Sequence, residues 1–455
     1  MEQKKEQFGS KIGFILAAAG SAVGLGNIWR FPYLAARDGG GVFLLVYIVF
    51  ALTFGFSLLV TEIAIGRKTG RTVITAYKTV KKPFAPLGIL AALVPVIIVP
   101  YYCVIGGWVL KYLVSYATGH GSEAAMADGS YFTGFIGTVK EPTIFFIVFV
   151  LLTAVSVLLG VQKGIERVSK IMMPALLVII IALAVYTLTL DGAMDGLKYY
   201  VLPDFSKVTP KMLLKTAVDA MGQLFYSTSL AMGIMVTYGS YMRKEDSIEK
   251  SARQIGIFDT LVAVIAGMII VPAVFVFSGG DADAINAGPS LMFITMPSIF
   301  ETIPGGHIIG AAFFVLVALA ALTSSISLME TVASIISEKF NIGRKISSLI
   351  TLVVILAIGM LSVLGYSIWD TVTVFGYQFL DFFDFISNNI MMPVVAFFTC
   401  ILVSCFAKIK FIEDEVLIGE DKFKSKKLYL VMITAVAPVC MLLILFSPVI
   451  MKYIG

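Results

Sequence analysis

Charge and metal-binding side chains are what this sequence has least of. Only 14% of its 455 residues are Asp, Glu, Lys or Arg, and it holds two histidines, four cysteines and three tryptophans. So low a charge content excludes a soluble domain of ordinary composition. Cys103, Cys400, Cys405 and Cys440 all stand in apolar runs. They read as small buried hydrophobes, not as a disulfide framework or a thiolate metal site. His120 and His307 each sit alone in a connecting segment and read as solvent-exposed. No nucleophile, base and metal ligands cluster in the connections, so an enzyme is not expected.

What is abundant is apolar. Hydrophobic residues make up 58% of the chain and the mean hydropathy is +0.94, which is a polytopic, all-α membrane protein. Since a spanning helix needs about 20 apolar residues, eleven runs qualify: 12–36, 42–65, 87–117, 143–161, 171–190, 217–241, 255–277, 308–336, 346–364, 374–406 and 428–451. Lysines and arginines crowd alternate connections, among them Lys4, Lys5 and Lys11, then Arg67 to Lys82, Lys163 to Lys170, Arg243 to Arg253, Lys339 to Lys345, and Lys408 to Lys427. The positive-inside rule puts these in the cytoplasm, with the N-terminus, and the C-terminus outside a cell inner (plasma) membrane. That distribution accounts for the net charge of +5 without nucleic acid as a partner. The polar start, Met1 to Glu6, leads straight into a full-length span, so no cleavable signal peptide is expected.

The first run does not read as a uniform helix. Gly20-Ser21-Ala22-Val23-Gly24-Leu25-Gly26-Asn27 holds three glycines and a β-branched valine at mid-depth, a poor helix former. Backbone freed from helical bonding cannot face lipid, so it lines a polar cavity or is buried in protein. Close packing of small residues is the alternative. Arg30, a full charge inside a span, favours the functional reading and requires a partner. In the sixth run, Gly222 to Gly233 gathers Ser227, Thr228 and Ser229 among small residues. Such hydroxyls commonly bond back to their own turn. Five spans precede it, however, so the first and sixth are equivalent members of two halves. An odd number of crossings per half inverts one half against the other, the inverted repeat of secondary transporters with a site at the breaks.

Two connections are long enough to hold structure. The one from Gly192 to Leu213 is polar, with prolines. That from Ser278 to His307 includes Pro289 to Pro297, apolar but too short to span, which suits a re-entrant or lid hairpin over an entrance; an amphipathic surface loop is the other reading.

The set Ala19 to Pro32, Gly39-Gly40-Gly41, Gly222-Gln223-Leu224-Phe225, Ser240-Tyr241 and Leu322-Thr323-Ser324-Ser325 resembles the neurotransmitter:sodium symporter family, bacterial amino-acid branch, over nearly the whole chain. The resemblance implies the LeuT fold: a 5+5 inverted repeat with broken first and sixth helices plus an eleventh helix. On it the chain divides into a cytoplasmic segment 1–11, a first repeat 12–190, an extracellular connection 191–213, a second repeat 214–406, a cytoplasmic loop 407–427, and an eleventh helix and tail 428–455. It implies sodium-coupled amino-acid symport by alternating access, in a monomer or weak dimer.

The family pattern then assigns the residues. Backbone amides near Leu25 and Gly26, with Tyr102, would meet a substrate carboxylate. Gly24 stands where the family's amine transporters carry an aspartate, so the substrate brings its own carboxylate. Its ammonium falls to carbonyls near the breaks and to Ser229. Pocket walls would include Ser21, Ala22, Ile98, Tyr226, Ser227, Ser229, Met232, Ser324 and Leu328, pointing to a neutral hydrophobic or aromatic amino acid. Two sodium ions are implied. One would take the Ala22 carbonyl, Asn27, Ser227, Asp259 and the substrate carboxylate; the other the carbonyls of Gly20, Val23 and Ala320 with Thr323 and Ser324. Read without the family, Thr323-Ser324-Ser325 is more often helix packing.

Two departures stand out. The family usually has asparagine at Asp259 and threonine at Ser227, and Ala263 occupies the position of a charge-balancing glutamate. Asp259 is therefore expected to supply the missing negative charge and to make transport chloride-independent; a protonated buried aspartate is the alternative. The implied outer gate joins Arg30 to Asp384, with Tyr226 closing against Tyr102. The inner one comprises Lys5, Ser240, Tyr241 and Glu338, Lys5 replacing a more usual arginine and giving a looser latch. A proton-coupled antiporter on the same fold and a non-transporting receptor are the rival readings.

Overall fold

In a computed structural model, residues 6–124, 129–206, 208–278 and 288–454 are described. They are helical, and the only β pairing among them is the isolated Val374–Tyr377 bridge. Among the described residues, nine helices are long and apolar enough to cross a membrane: Gly41–Thr69, Lys82–Ala117, Lys140–Leu158, Val161–Leu188, Ile248–Phe277, Gly306–Phe340, Arg344–Gly365, Phe379–Ala407 and Lys426–Ser447. A tenth crossing is the pair Lys11–Ala22 and Gly26–Arg37, bent by 55°. Between the fifth and seventh spans lies a second interrupted pair, Pro210–Ser227 and Ile234–Tyr241. With it, each of the eleven expected spans has a helical counterpart.

Helix starts follow their caps more than their hydropathy. The Ser10, Thr209 and Ser247 side chains accept from the amides of Gly13, Met212 and Lys250, fixing the starts of spans one, six and seven and satisfying donors a helix start leaves open. Span five begins at Val161, not at Ile171, because Gln162, Lys163, Glu166, Arg167 and Lys170 continue the helix where hydropathy has already fallen. Span ten begins at Phe379, not at Val374: Phe375 and Gly376 have φ of 53° and 85° and close a tight turn ahead of it.

The third span packs against the fourth, eighth and ninth, while the first half of span one lies among spans five, seven and eight. Both long connections hold helices among their described residues. Ala193–Val201 is a short helix whose Tyr200 hydroxyl donates to the Val264 carbonyl at 2.9 Å. Leu291–Thr302 is an apolar helix with Leu291, Met292 and Phe293 buried. The Phe293 ring stacks on Phe132 at 5.0 Å, and its carbonyl accepts from Tyr112 at 2.7 Å. This segment is seated in the protein, which overturns the surface-loop reading. His120 and His307 are exposed. Cys103, Cys400 and Cys440 are buried, but Cys405 is exposed, a correction to the expectation for all four. Five residues past Cys400 on one helix it points about 140° away, off the packed face.

Candidate functional site

The two breaks have different local causes. In span six, Ser229, Ala231 and Gly233 have φ of 55°, 60° and 73°, and helical bonding cannot pass through residues in the left-handed region. In span one, Val23 turns to extended backbone after Ala22, and the helix resumes at Gly26. Side chains from span one itself and from other spans take up the freed groups. The Gly24 amide donates to Asn27 Oδ1 at 2.9 Å, the Leu25 amide to the Tyr102 hydroxyl at 3.2 Å, and Gln223 Nε2 to the Gly26 carbonyl at 2.9 Å. The Ser229 hydroxyl donates to the Ser21 carbonyl at 2.9 Å, and the Ala231 amide to Glu62 Oε1 at 2.7 Å. Exposed main chain at mid-depth is thus satisfied from within the protein, as the bilayer requires.

Between the breaks lies a cavity of about 350 Å³, lined by Ser21, Ala22, Gly24, Leu25, Gly26, Asn27, Ile98, Tyr102, Tyr226, Ser227, Ser229, Met232, Ser324 and Leu328. Every residue expected in a substrate pocket is among them. Glycine is required at two points. A Cβ on Gly24 would stand 2.7 Å from Ser324 Oγ and 2.8 Å from the Tyr102 hydroxyl; one on Gly26 would stand 2.8 Å from Tyr226 Cε1. One end of the cavity therefore carries amides and hydroxyls, while Ile98, Met232 and Leu328 give the remainder an apolar wall.

Part of each expected oxygen cluster comes together. Asp259 Oδ1 accepts from Asn27 Nδ2 at 2.8 Å and from Ser227 Oγ at 2.7 Å, and its Oδ2 accepts from the Tyr47 hydroxyl at 3.3 Å. Asp259 is fully buried. Ala22, whose carbonyl was expected in the same set, lines the adjoining cavity. Ser324 Oγ lies within hydrogen-bond distance of the carbonyls of Gly20 at 3.4 Å, Ser21 at 3.1 Å and Val23 at 3.1 Å, and Thr323 Oγ1 bonds back along its own helix to the carbonyls of Leu319 at 3.1 Å and Ala320 at 3.0 Å. Carbonyls with rotatable hydroxyls, which also accept, are the hard donors an alkali cation takes; a thiolate or imidazole site needs other residues.

The gates differ in part from expectation. Arg30 does not pair directly with Asp384: its guanidinium lies over the Tyr226 ring, 5.6 Å from the centroid. Asp384 accepts instead from Tyr101 at 3.0 Å and Asn388 at 2.7 Å. Tyr226 lines the central cavity and also an outer one of about 540 Å³ containing Arg30, Asp219, Asn388 and Asn389. It is the partition between them. Further out, Arg37 pairs with Asp38 at 2.8 Å and with Asp219, and Lys215 with Asp38, pinning the ends of spans one and six together. Burial pushes the Asp38 carboxyl up, but hydrogen bonds from Arg37 and Lys215 outweigh it and hold it below the ordinary carboxylate range.

On the opposite side the hub is Glu330, which sequence reasoning missed. Its fully buried carboxylate accepts from Tyr241 at 2.8 Å and Ser334 at 2.9 Å and pairs with Arg344, itself 3.7 Å from Glu6. Glu338 accepts from the Thr72 amide at 2.7 Å, and the Ser240 hydroxyl bonds back to the Thr237 carbonyl at 2.6 Å. Of the expected inner group, Tyr241 thus joins a different carboxylate, since Glu330 lies eight residues before Glu338 on the face toward span six; Lys5 lies outside the described residues. The leading segment is latched alongside. The Phe8 amide donates to the Tyr241 carbonyl at 3.1 Å, and the Gly9 amide and Ser10 hydroxyl each donate to Glu166 at 2.7 Å. Serine and glycine ahead of span one were the only visible hint of that latch.

A multi-pass helical protein with two broken spans facing each other across a cavity with one polar end is a secondary transporter, and not an enzyme. Residues 5–122 and 132–454 match the model of the sodium:neurotransmitter symporter family, and the chain belongs to that family. It is 38% identical over 419 residues to an uncharacterized sodium-dependent transporter, YhdH, of Bacillus subtilis, covering 91% of this chain and 90% of that protein. It is 24% identical over 398 residues to the human sodium- and chloride-dependent GABA transporter 2, covering 76% of this chain and 65% of that one. The crystal structure of MhsT in complex with L-phenylalanine superposes with a TM-score of 0.87 at 36% identity, over 98% of this chain and all of that one. The fold is the LeuT fold, and the protein is a sodium-dependent membrane transporter.

Proposed function

We propose that this transporter takes up a neutral, hydrophobic or aromatic L-amino acid together with sodium, by alternating access and without chloride. The observation that carries the reading is the central cavity. Its polar end offers the Leu25 and Gly26 amides and Tyr102 to a carboxylate, and Gly24 puts no side-chain charge there; the rest is apolar. A half-helix N-terminus adds a favourable dipole. Met232 is adaptable in shape, and the likeness to a structure holding L-phenylalanine supports an amino acid of that size.

Two sodium ions are the proposed cargo. One sits at Asn27, Ser227, Asp259 and the Ala22 carbonyl, where the substrate carboxylate adds an oxygen and couples ion to solute. The other sits at Gly20, Val23, Ala320, Thr323 and Ser324. Asp259 brings a fixed negative charge beside the first ion, which supports chloride independence in contrast to relatives named for chloride dependence. Sodium favours the outward-facing state, and filling the cavity closes Tyr226 over it. Repeats 12–190 and 214–406 rock against each other, with the N-terminus in the cytoplasm and the C-terminus outside a plasma (inner) membrane, in a monomer or weak dimer.

Uptake by purified protein in liposomes tests this reading, with amino acids screened against sodium, lithium or choline outside. Sodium-driven accumulation of phenylalanine, tryptophan, leucine or methionine is expected. Accumulation of glycine, alanine or proline alone would overturn the pocket assignment. Uptake driven by a proton gradient without sodium, or binding without accumulation, would favour an antiporter or a receptor.

A further inference from the structure

The connection from Tyr366 to Gln378, between spans nine and ten, exposes its apolar side chains while its backbone is held fixed. Ile368 is 66% exposed and Phe375 90%, and Trp369, Val372 and Tyr377 are exposed as well. The segment is pinned by reciprocal backbone bonds between Val374 and Tyr377, 2.8 and 3.0 Å, by the Trp369 amide to the Leu364 carbonyl at 2.9 Å, and by Gln378 to the Asp370 carbonyl. Phe375 sits at φ 53°, a conformation unfavourable for an L-residue with a side chain. The turn is thus built to present that ring. Asp370 is the segment's single charged residue, and no lysine or arginine occurs in it.

Length says what meets it. Span nine, Arg344–Gly365, has 22 residues, about 33 Å of helix across a hydrocarbon layer of about 30 Å. With Arg344 and Lys345 at one boundary, the residues just past Gly365 emerge at the other, the depth where tryptophan and tyrosine concentrate in membrane proteins. Nearer the other end of span nine, Leu349, Ile350 and Val353 are exposed apolar side chains as well. Tyr377 stacks on Phe385 at 5.2 Å and Phe375 packs against Phe382 at 6.1 Å. Those rings flank Asp384 on the outer half of span ten.

We propose that this turn is an interfacial anchor: its aromatic and aliphatic side chains lie among the lipid headgroups, and through Phe382 and Phe385 it holds the Asp384-bearing half of span ten at fixed depth. The proposal needs only the membrane placement of the family and stands whatever amino acid is carried.

Trp369 reports directly, because the other two tryptophans are half-buried Trp29 and buried Trp108. A W29F/W108F protein is reconstituted in phosphatidylcholine–phosphatidylglycerol vesicles containing phosphatidylcholine brominated either near the headgroup or at the chain end. Stronger quenching by the shallow label is expected, with weak quenching by aqueous iodide. Should that variant not fold, a nitroxide on F375C in a C405S background is read by collision with oxygen and with a water-soluble nickel chelate; a high oxygen and low nickel response is expected. Emission quenched by iodide but by neither lipid would overturn the anchor. So would a nitroxide shielded from both reagents and dipolar-broadened by a second label, which would mean that another copy of the chain covers the turn.

Discussion

Replacing Asp259 by asparagine tests the ion chemistry most directly, because the substitution changes charge and little else. Oδ1 can still accept from Asn27 and Ser227, and the new amide can donate to the Tyr47 hydroxyl now facing Oδ2. What is lost is one buried negative charge beside the proposed sodium ion. Two unit charges about 4 Å apart at an effective dielectric constant of about 20 interact by roughly 4 kcal/mol, and each 1.4 kcal/mol is about a factor of ten in affinity. The ceiling on the loss of sodium affinity is therefore roughly a thousandfold, with screening and local relaxation reducing it. Wild-type liposome uptake should be the same in sodium chloride and sodium gluconate. D259N should need far more sodium in gluconate and recover in part when chloride is supplied. Wild-type uptake abolished by removing chloride would refute the reasoning; so would D259N working normally without it.

Gly24→Asp puts a carboxylate against Ser324 and Tyr102, where even a Cβ is within 2.8 Å, and should abolish amino-acid uptake and equilibrium binding of labelled substrate alike. Arg30→Ala should slow cycling more than it weakens binding, since Arg30 lies above Tyr226 and does not line the central cavity; paired flux and scintillation-proximity measurements separate the two. Glu330→Gln removes the buried carboxylate facing Arg344 and leaves that guanidinium the Val157 carbonyl and the more distant Glu6; breaking a buried pair typically costs about 3–5 kcal/mol, and these remaining partners reduce the loss. The inner latch should open, seen as faster labelling of a cysteine placed on the cytoplasmic side of span six and as weaker sodium binding; unchanged labelling would remove Glu330 from the latch. Met232→Phe narrows the apolar wall and should shift preference from tryptophan toward smaller aliphatic substrates in competition assays.

Much of the site was legible because it is made of main chain. Glycines at 20, 24 and 26 and hydroxyls at 227 to 229 mark places where a helix cannot easily continue, and the odd count of five spans in each half gives the symmetry. The inner hub was not legible. Glu330 and Glu338 lie two turns apart on one helix and look alike in sequence; only packing assigns the first to Tyr241 and Arg344 and the second to the Thr72 amide. Arg30 illustrates the same limit, since the sequence demands company for a charge in a membrane but does not choose between a carboxylate and an aromatic face.

The resemblance to the family supplied the residues around the cavity, while the sequence by itself determined the membrane class, the number and order of the spans and the two breaks. Hydropathy, glycine and hydroxyl content act within a few residues of themselves, so one chain read in order reveals them. Tertiary structure alone decided which charge meets which, where helices run on past their apolar stretch, and how the Leu291–Thr302 helix is seated. Those outcomes depend on side chains from distant spans meeting at 3 to 4 Å, a condition that no local pattern encodes.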